Sequence, residues 1–134
     1  VQEHSHVRFL GSKEPAEVLS AMRCAAWLAI PSIWYENFPR ILVEAFASGL
    51  PVIASRLGAM AELIEHGRTG LLFEPGNAAD FGEKMAWAEA NPVAMADMGG
   101  NARREYEAKY TPDINYQQLM AIYEEAIAAV GRQA

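Results

Sequence analysis

Four short apolar runs, Val7–Leu10, Trp27–Pro31, Pro51–Ser55 and Gly70–Phe73, alternate along the chain with stretches of helical apolar spacing. Short, mainly apolar runs of this kind are what strands look like when both faces of a sheet are covered. Strand and helix in regular alternation therefore predict an α/β fold. Its centre is a partial, Rossmann-like parallel sheet of about four strands, with crossover helices at Glu14–Cys24, Asn37–Ser48 and Met60–His66. In such a sheet, ligands bind at the carboxyl ends of the strands, so the loops after Leu10, Pro31, Ser55 and Phe73 are the places to look for function.

The second half reads differently. Residues 1–76 carry the sheet and its crossovers, and residues 77–134 read as helices. The turn Glu74–Asn77 leads into a helix with Phe81, Met85 and Ala88 on one face. Asn91–Tyr110 contains Gly99-Gly100, which predicts two helical pieces or one kinked helix. The last helix has Thr111 as its N-cap, Pro112 in its first turn and an apolar stripe of Tyr116, Leu119, Tyr123, Ile127 and Val130. All 134 residues form a single partial domain in this reading. Eleven basic against 17 acidic side chains, a formal charge of −6, argue against a nucleic-acid partner. The single cysteine, Cys24, is expected to be a packed thiol in a reducing compartment, and with no leader at Val1 the expected location is the cytoplasm. His4, His6 and His66 have no ligands at zinc spacing, so no metal site is expected. Trp27, Trp34 and Trp87 read as core or rim aromatics, with Trp34 two residues before Glu36.

The loop and helix Tyr35–Ile53 hold the unusual chemistry. Glu44 lies among Ile41, Leu42, Val43, Ala45, Phe46 and Ala47, and a carboxylate on so apolar a helix needs a partner. Asn37 is placed to cap this helix and Pro39 to open its first turn, leaving the amides near Arg40 and Ile41 without intrahelical acceptors, a setting that attracts phosphate. Glu36 stands just before the helix, and Glu44 about 7 Å further along its axis at ~1.5 Å per residue. The two carboxylates thus bracket an anion site, the layout required by a sugar nucleotide with hydroxyls on both sides of its diphosphate. Spacing alone also allows a plainer reading, in which Arg40 and Glu44 form an i, i+4 ion pair on an ordinary scaffold and Glu36 is a solvated loop residue.

The string "ENFPRILVEAFASGLPVIAS", Glu36 to Ser55, followed by "GAMAELIEHGRTGLLFEPGNAADF", resembles the C-terminal half of retaining glycosyltransferases of the GT-B fold, family 4-like, with their Glu, seven residues, Glu hallmark. Pro39 stands where that family often has Gly, and Ala61 where Pro-Glu is common. The resemblance implies that Glu36 is the acidic catalytic residue beside the donor sugar and that Glu44 holds the ribose hydroxyls. It implies that the backbone of Asn37, Phe38, Pro39, Arg40, Ile41 and Leu42 faces the diphosphate, with Arg40 as a helper. It also places Gly11, in the loop Leu10–Lys13, at the base.

The implied donor is a nucleotide-diphosphate sugar such as a UDP- or GDP-sugar, used without a cofactor or metal. An acceptor sugar, lipid or small molecule is expected to bind an N-terminal domain, and the parent to associate peripherally with a membrane. That domain, together with two strands and a basic loop that begin the family's C-terminal domain, has no counterpart here. The chain is therefore expected to be inactive in transfer on its own. The alternative is a non-catalytic nucleotide-sugar-binding subunit that works with a partner chain.

Overall fold

The computed structural model describes residues 6–131; His4 lies outside them. Strands β1 (Leu28–Ile30), β2 (Val52–Ser55) and β3 (Gly70–Phe73) form one parallel sheet in the order β1-β2-β3. Leu28 sits opposite Val52, and Val52 opposite Gly70. Helices α1 (Pro15–Cys24), α2 (Arg40–Ala47) and α3 (Ala59–Leu63) precede or connect the strands, and α4 (Ala78–Ala90), α5 (Pro92–Lys109) and α6 (Pro112–Gly131) follow.

The α/β class holds, with three strands among the described residues rather than four. Val7–Leu10 forms no strand, and Phe9 is 96% exposed. A strand is stable only when a neighbour takes up its backbone hydrogen bonds, and no described segment lies beside Val7–Leu10 to do so. The other three fall where the apolar runs place them.

All four residues of β2 are buried, because the sheet is covered on both sides. Val52, Ala54 and Leu72 join Leu42, Ala45, Phe46, Met60 and Ala102 in one core. Ile53, Leu71 and Phe73 point the other way, into a second core with Ala88, Met95 and Met98, against which Phe81 and Met85 pack. The strand's two-residue period divides the cores, and the 3.6-residue period of α2 and α4 supplies each with its covering face.

Helix α5 runs unbroken through Gly99-Gly100. Gly99 is there for close approach: a Cβ on it would lie 2.3 Å from the Gly49 carbonyl oxygen and 3.1 Å from Pro51 Cδ. The α2–α5 crossing is held further by Arg103, which donates to the Ala47 carbonyl. Helix α6 is the least packed element. Tyr116, Leu119, Tyr123, Ile127 and Val130 are all exposed, so the predicted stripe forms without a partner among the described residues. Cys24 is also exposed, which corrects the expectation of a packed thiol: it is the last residue of α1, and it is Met22 that turns inward. No described helix is long and apolar enough to cross a membrane.

The α3–β3 connection contains a pH-sensitive contact. His66 Nδ1 accepts the Leu72 amide at 2.9 Å, so that nitrogen must carry no proton. Partial burial, then the charges of Arg56 and Lys84, hold the imidazole below its ordinary pKa, against the pull of Asp80. The unfolded chain therefore takes up this proton more readily, and the contact's stabilisation, present above about pH 6.5, is lost as pH falls toward the lowered native value. His66→Gln keeps an acceptor but does not titrate. Thermal melts from pH 8 to 5 should show a smaller decline for this variant than for the unmodified chain.

Candidate functional site

Because the three strands are parallel, the loops after β1 (31–39), β2 (56–58) and β3 (74–77) emerge on one edge of the sheet. The first two touch. The backbone of Gly58 lies against Tyr35 and Glu36, so that an added Cβ would come within 3.0 Å of Tyr35 Cδ1 and 3.6 Å of the Glu36 carbonyl oxygen. Glu36 is half-buried and its Oε1 accepts from the Ser32 hydroxyl at 2.8 Å.

Helix α2 starts two residues later than Asn37 would allow as a cap. The N-cap position falls on Pro39, in extended conformation (φ −75°, ψ 102°), and no side chain caps the helix. The reason is steric. Phe38 precedes a proline and is pushed out of helical conformation, which delays the helix to Arg40. Asn37 is exposed and lies outside the helix, whereas Pro39 is buried. Leu42 donates its amide to the Pro39 carbonyl (3.0 Å) and buries its side chain. Among the described residues, the Arg40 and Ile41 amides have no backbone acceptor. They are the free donors at this helix start.

Glu44 projects between two clefts. One, about 340 Å³, runs between the starts of α1 and α2 and is lined by Lys13, Pro15, Val18, Arg40, Ile41 and Glu44. Within it the Arg40 guanidinium reaches Glu44 Oε1 at 3.3 Å, and Lys13 pairs with Glu17 at 3.2 Å. Glu44 is 36% exposed and Arg40 87% exposed, so the carboxylate is only half-buried and its partner is a solvated cation. The burial that made a partner obligatory is milder than the sequence implies, because, of its apolar neighbours, only Leu42, Ala45 and Phe46 turn into the core, while Ile41, Val43 and Ala47 line the clefts beside Glu44. Gly11 is exposed with φ +69°, two residues before Lys13.

The other cleft, about 520 Å³, lies across α2 and is lined by Phe38, Glu44, Tyr106, Lys109, Tyr110 and Asn115 among others. Phe38 meets Tyr110 edge-on with ring centroids 6.2 Å apart, and burial raises the Tyr110 pKa. Phe38 thus faces away from the groove that contains Arg40 and Ile41. Trp34 is exposed near the sheet edge, and Trp27 packs against the second core. Two participants were not read from the sequence. Ser32, four residues before Glu36 in a loop without helical pattern, gives no periodic signal, and Tyr35 meets Gly58 across a separation only the fold closes.

Comparison with known proteins agrees with this architecture. A family model described as glycosyl transferases group 1 matches residues 2–105. The chain is similar to a phosphatidyl-myo-inositol mannosyltransferase of Mycobacterium leprae, at 34% identity over 119 residues, covering 89% of this chain and 32% of that protein. Sucrose-phosphate synthase of Thermosynechococcus elongatus superposes with a TM-score of 0.86 at 28% identity, over 93% of this chain and 31% of the other. HepE of Anabaena, in complex with UDP and glucose, superposes with a TM-score of 0.79 at 27% identity, over 87% of this chain and 32% of the other. These structural neighbours are glycosyltransferases of the GT-B fold. The chain spans about a third of the length of the relatives it matches. With most of its residues covered by the family model, the chain belongs to the glycosyl transferases group 1 family.

Proposed function

We propose that this chain holds the nucleotide-diphosphate sugar donor of a family 4-like glycosyltransferase, whose parent protein transfers the glycosyl group to an acceptor with retention of configuration and without a metal. The observation that carries the reading is the groove at the start of α2. It combines the unpaired amides of Arg40 and Ile41 with the half-buried carboxylate of Glu44, beside the sheet edge where Glu36 is held. Its volume of about 340 Å³ lies within the range of small-ligand sites, which is roughly 300–1,000 Å³.

Each group has a task that its surroundings support. Breaking the sugar–phosphate bond builds negative charge on the departing diphosphate, and fixed amides at a helix start favour that charge more than they favour the ground state. Glu44 accepts from the ribose hydroxyls. The Arg40–Glu44 pair present without ligand is solvated, the kind that contributes no more than about 1 kcal/mol, so Arg40 can leave it for the diphosphate at little cost. Glu36 lies beside the donor sugar, and the exposed loop of Gly11 and Lys13 borders the base. Phe38, turned toward Tyr110, and Leu42, with its amide engaged, support the groove from behind. An acceptor sugar, lipid or small molecule is bound by the rest of the parent, which operates in the cytoplasm, peripherally at a membrane where the acceptor is a lipid. This chain alone carries out no transfer.

A thermal-shift titration of the chain with UDP, GDP, ADP and their glucose and mannose conjugates tests the donor site. A ligand at 100 times its Kd adds about 2.7 kcal/mol to the folded state, or roughly 10 °C for a domain of this size. One nucleotide series should give a saturable rise. Flat melts with all of them would refute the reading.

A further inference from the structure

We infer that Ser32 and Gly58 are positioning residues that aim the Glu36 carboxylate from two sides, leaving its second oxygen, Oε2, turned to accept a hydroxyl of the donor sugar; this rests on the donor-site reading above. Glu36 lies in a nine-residue loop (31–39) with no helix or strand to fix it. Something else must hold the side chain if it is to discriminate a sugar. Ser32 Oγ donates to Oε1 at 2.8 Å, which orients the carboxylate and takes up one of its acceptor sites. The backbone is held from the other side. Gly58 has φ +52° and ψ −138°, a conformation that glycine adopts without penalty, and its missing side chain lets Tyr35 and Glu36 settle against the loop after β2. A side chain at position 58 would strain this positive-φ backbone, and its Cβ, 3.0 Å from Tyr35 Cδ1, would displace the Tyr35 ring that packs beside Glu36. Ile33, Trp34 and Tyr35 are all exposed, so no buried apolar side chain anchors the residues just before Glu36, and these two contacts hold it there.

The test compares UDP, GDP and ADP with their glucose and mannose conjugates on the unmodified chain, Ser32→Ala, Ser32→Thr and Gly58→Ala, by calorimetry. Ser32→Ala should leave the affinity for the free nucleotide within about twofold, yet lose the additional affinity conferred by the sugar by roughly tenfold, the order of one charge-assisted hydrogen bond. Ser32→Thr, which keeps the hydroxyl, should restore it. Gly58→Ala, which strains the positive-φ backbone packed against Tyr35 and Glu36 while leaving the hydroxyl in place, should show the same selective loss, and melts establish whether each variant folds. An unchanged sugar increment in Ser32→Ala, or equal behaviour of the Ala and Thr variants, overturns the inference while the donor site stands. If the unmodified chain binds none of these ligands, the donor-site reading fails and takes this inference with it.

Discussion

Gly99→Ala should destabilise the chain by about 2 kcal/mol or more, while Gly100→Ala, one residue further along the same helix, should stabilise it by roughly 0.5–1 kcal/mol. Both substitutions give α5 the same gain in helix propensity, so the difference isolates packing. At Gly99 the new methyl would stand 2.3 Å from a backbone oxygen of Gly49, an atom that cannot move aside without separating α2 from α5. At Gly100 the nearest atom is the end of the Arg104 side chain, 3.8 Å away. Thermal melts of the two variants give opposite signs if the crossing is as close as described. Two losses of equal size would mean that the glycine pair serves backbone flexibility instead.

Phe46→Ala should be the most damaging single truncation in the chain. Phe46 is fully buried on the sheet side of α2, within the core formed by Val52, Ala54 and Ala102. Removing a buried aromatic side chain costs about 3–5 kcal/mol, a large part of the roughly 5–15 kcal/mol that holds a domain folded. A sheet of only three strands leaves little in reserve. Urea unfolding should show a transition midpoint far below that of the unmodified chain, or none, whereas Phe46→Leu should lose less than about 2 kcal/mol. A small effect of Phe46→Ala would contradict the placement of the core on this face of α2.

What could be read in advance follows a physical division. Strands β2 and β3 were legible because a doubly covered strand writes its burial into consecutive apolar residues, and Val52–Ala54 and Gly70–Phe73 carry no polar side chain. Val7–Leu10, interrupted by Arg8, carries a weaker form of that signature and forms no strand, since composition reports a preference for burial but not the presence of a neighbour to pair with. The start of α2 was misplaced because Asn37 has the chemistry of a cap, but Pro39 dictates the backbone of Phe38 and overrides it. Gly99-Gly100 looked like a helix break because glycine's low propensity is a local property. Its use here, allowing two helices to touch, depends on residue 49, fifty positions away.

The candidate site shows the same limits. Glu36 and Glu44 stood out through their spacing, and the ion pair that spacing also allowed is present, Arg40 to Glu44 at 3.3 Å. Both readings of Glu44 thus find a partner in its surroundings, one permanent and one exchanged for ligand. They differ in what is lost when the charge is removed.

Glu44→Gln separates them, measured by calorimetric titration with the nucleotide that gives the largest thermal shift, alongside thermal melts without ligand. The donor-site account predicts affinity about tenfold weaker or worse, from the loss of a charged acceptor for ribose hydroxyls, with a melting point nearly unchanged because the Arg40 pair is solvated. A variant that binds the nucleotide as tightly as the unmodified chain, while melting several degrees lower, would show that Glu44 serves only Arg40.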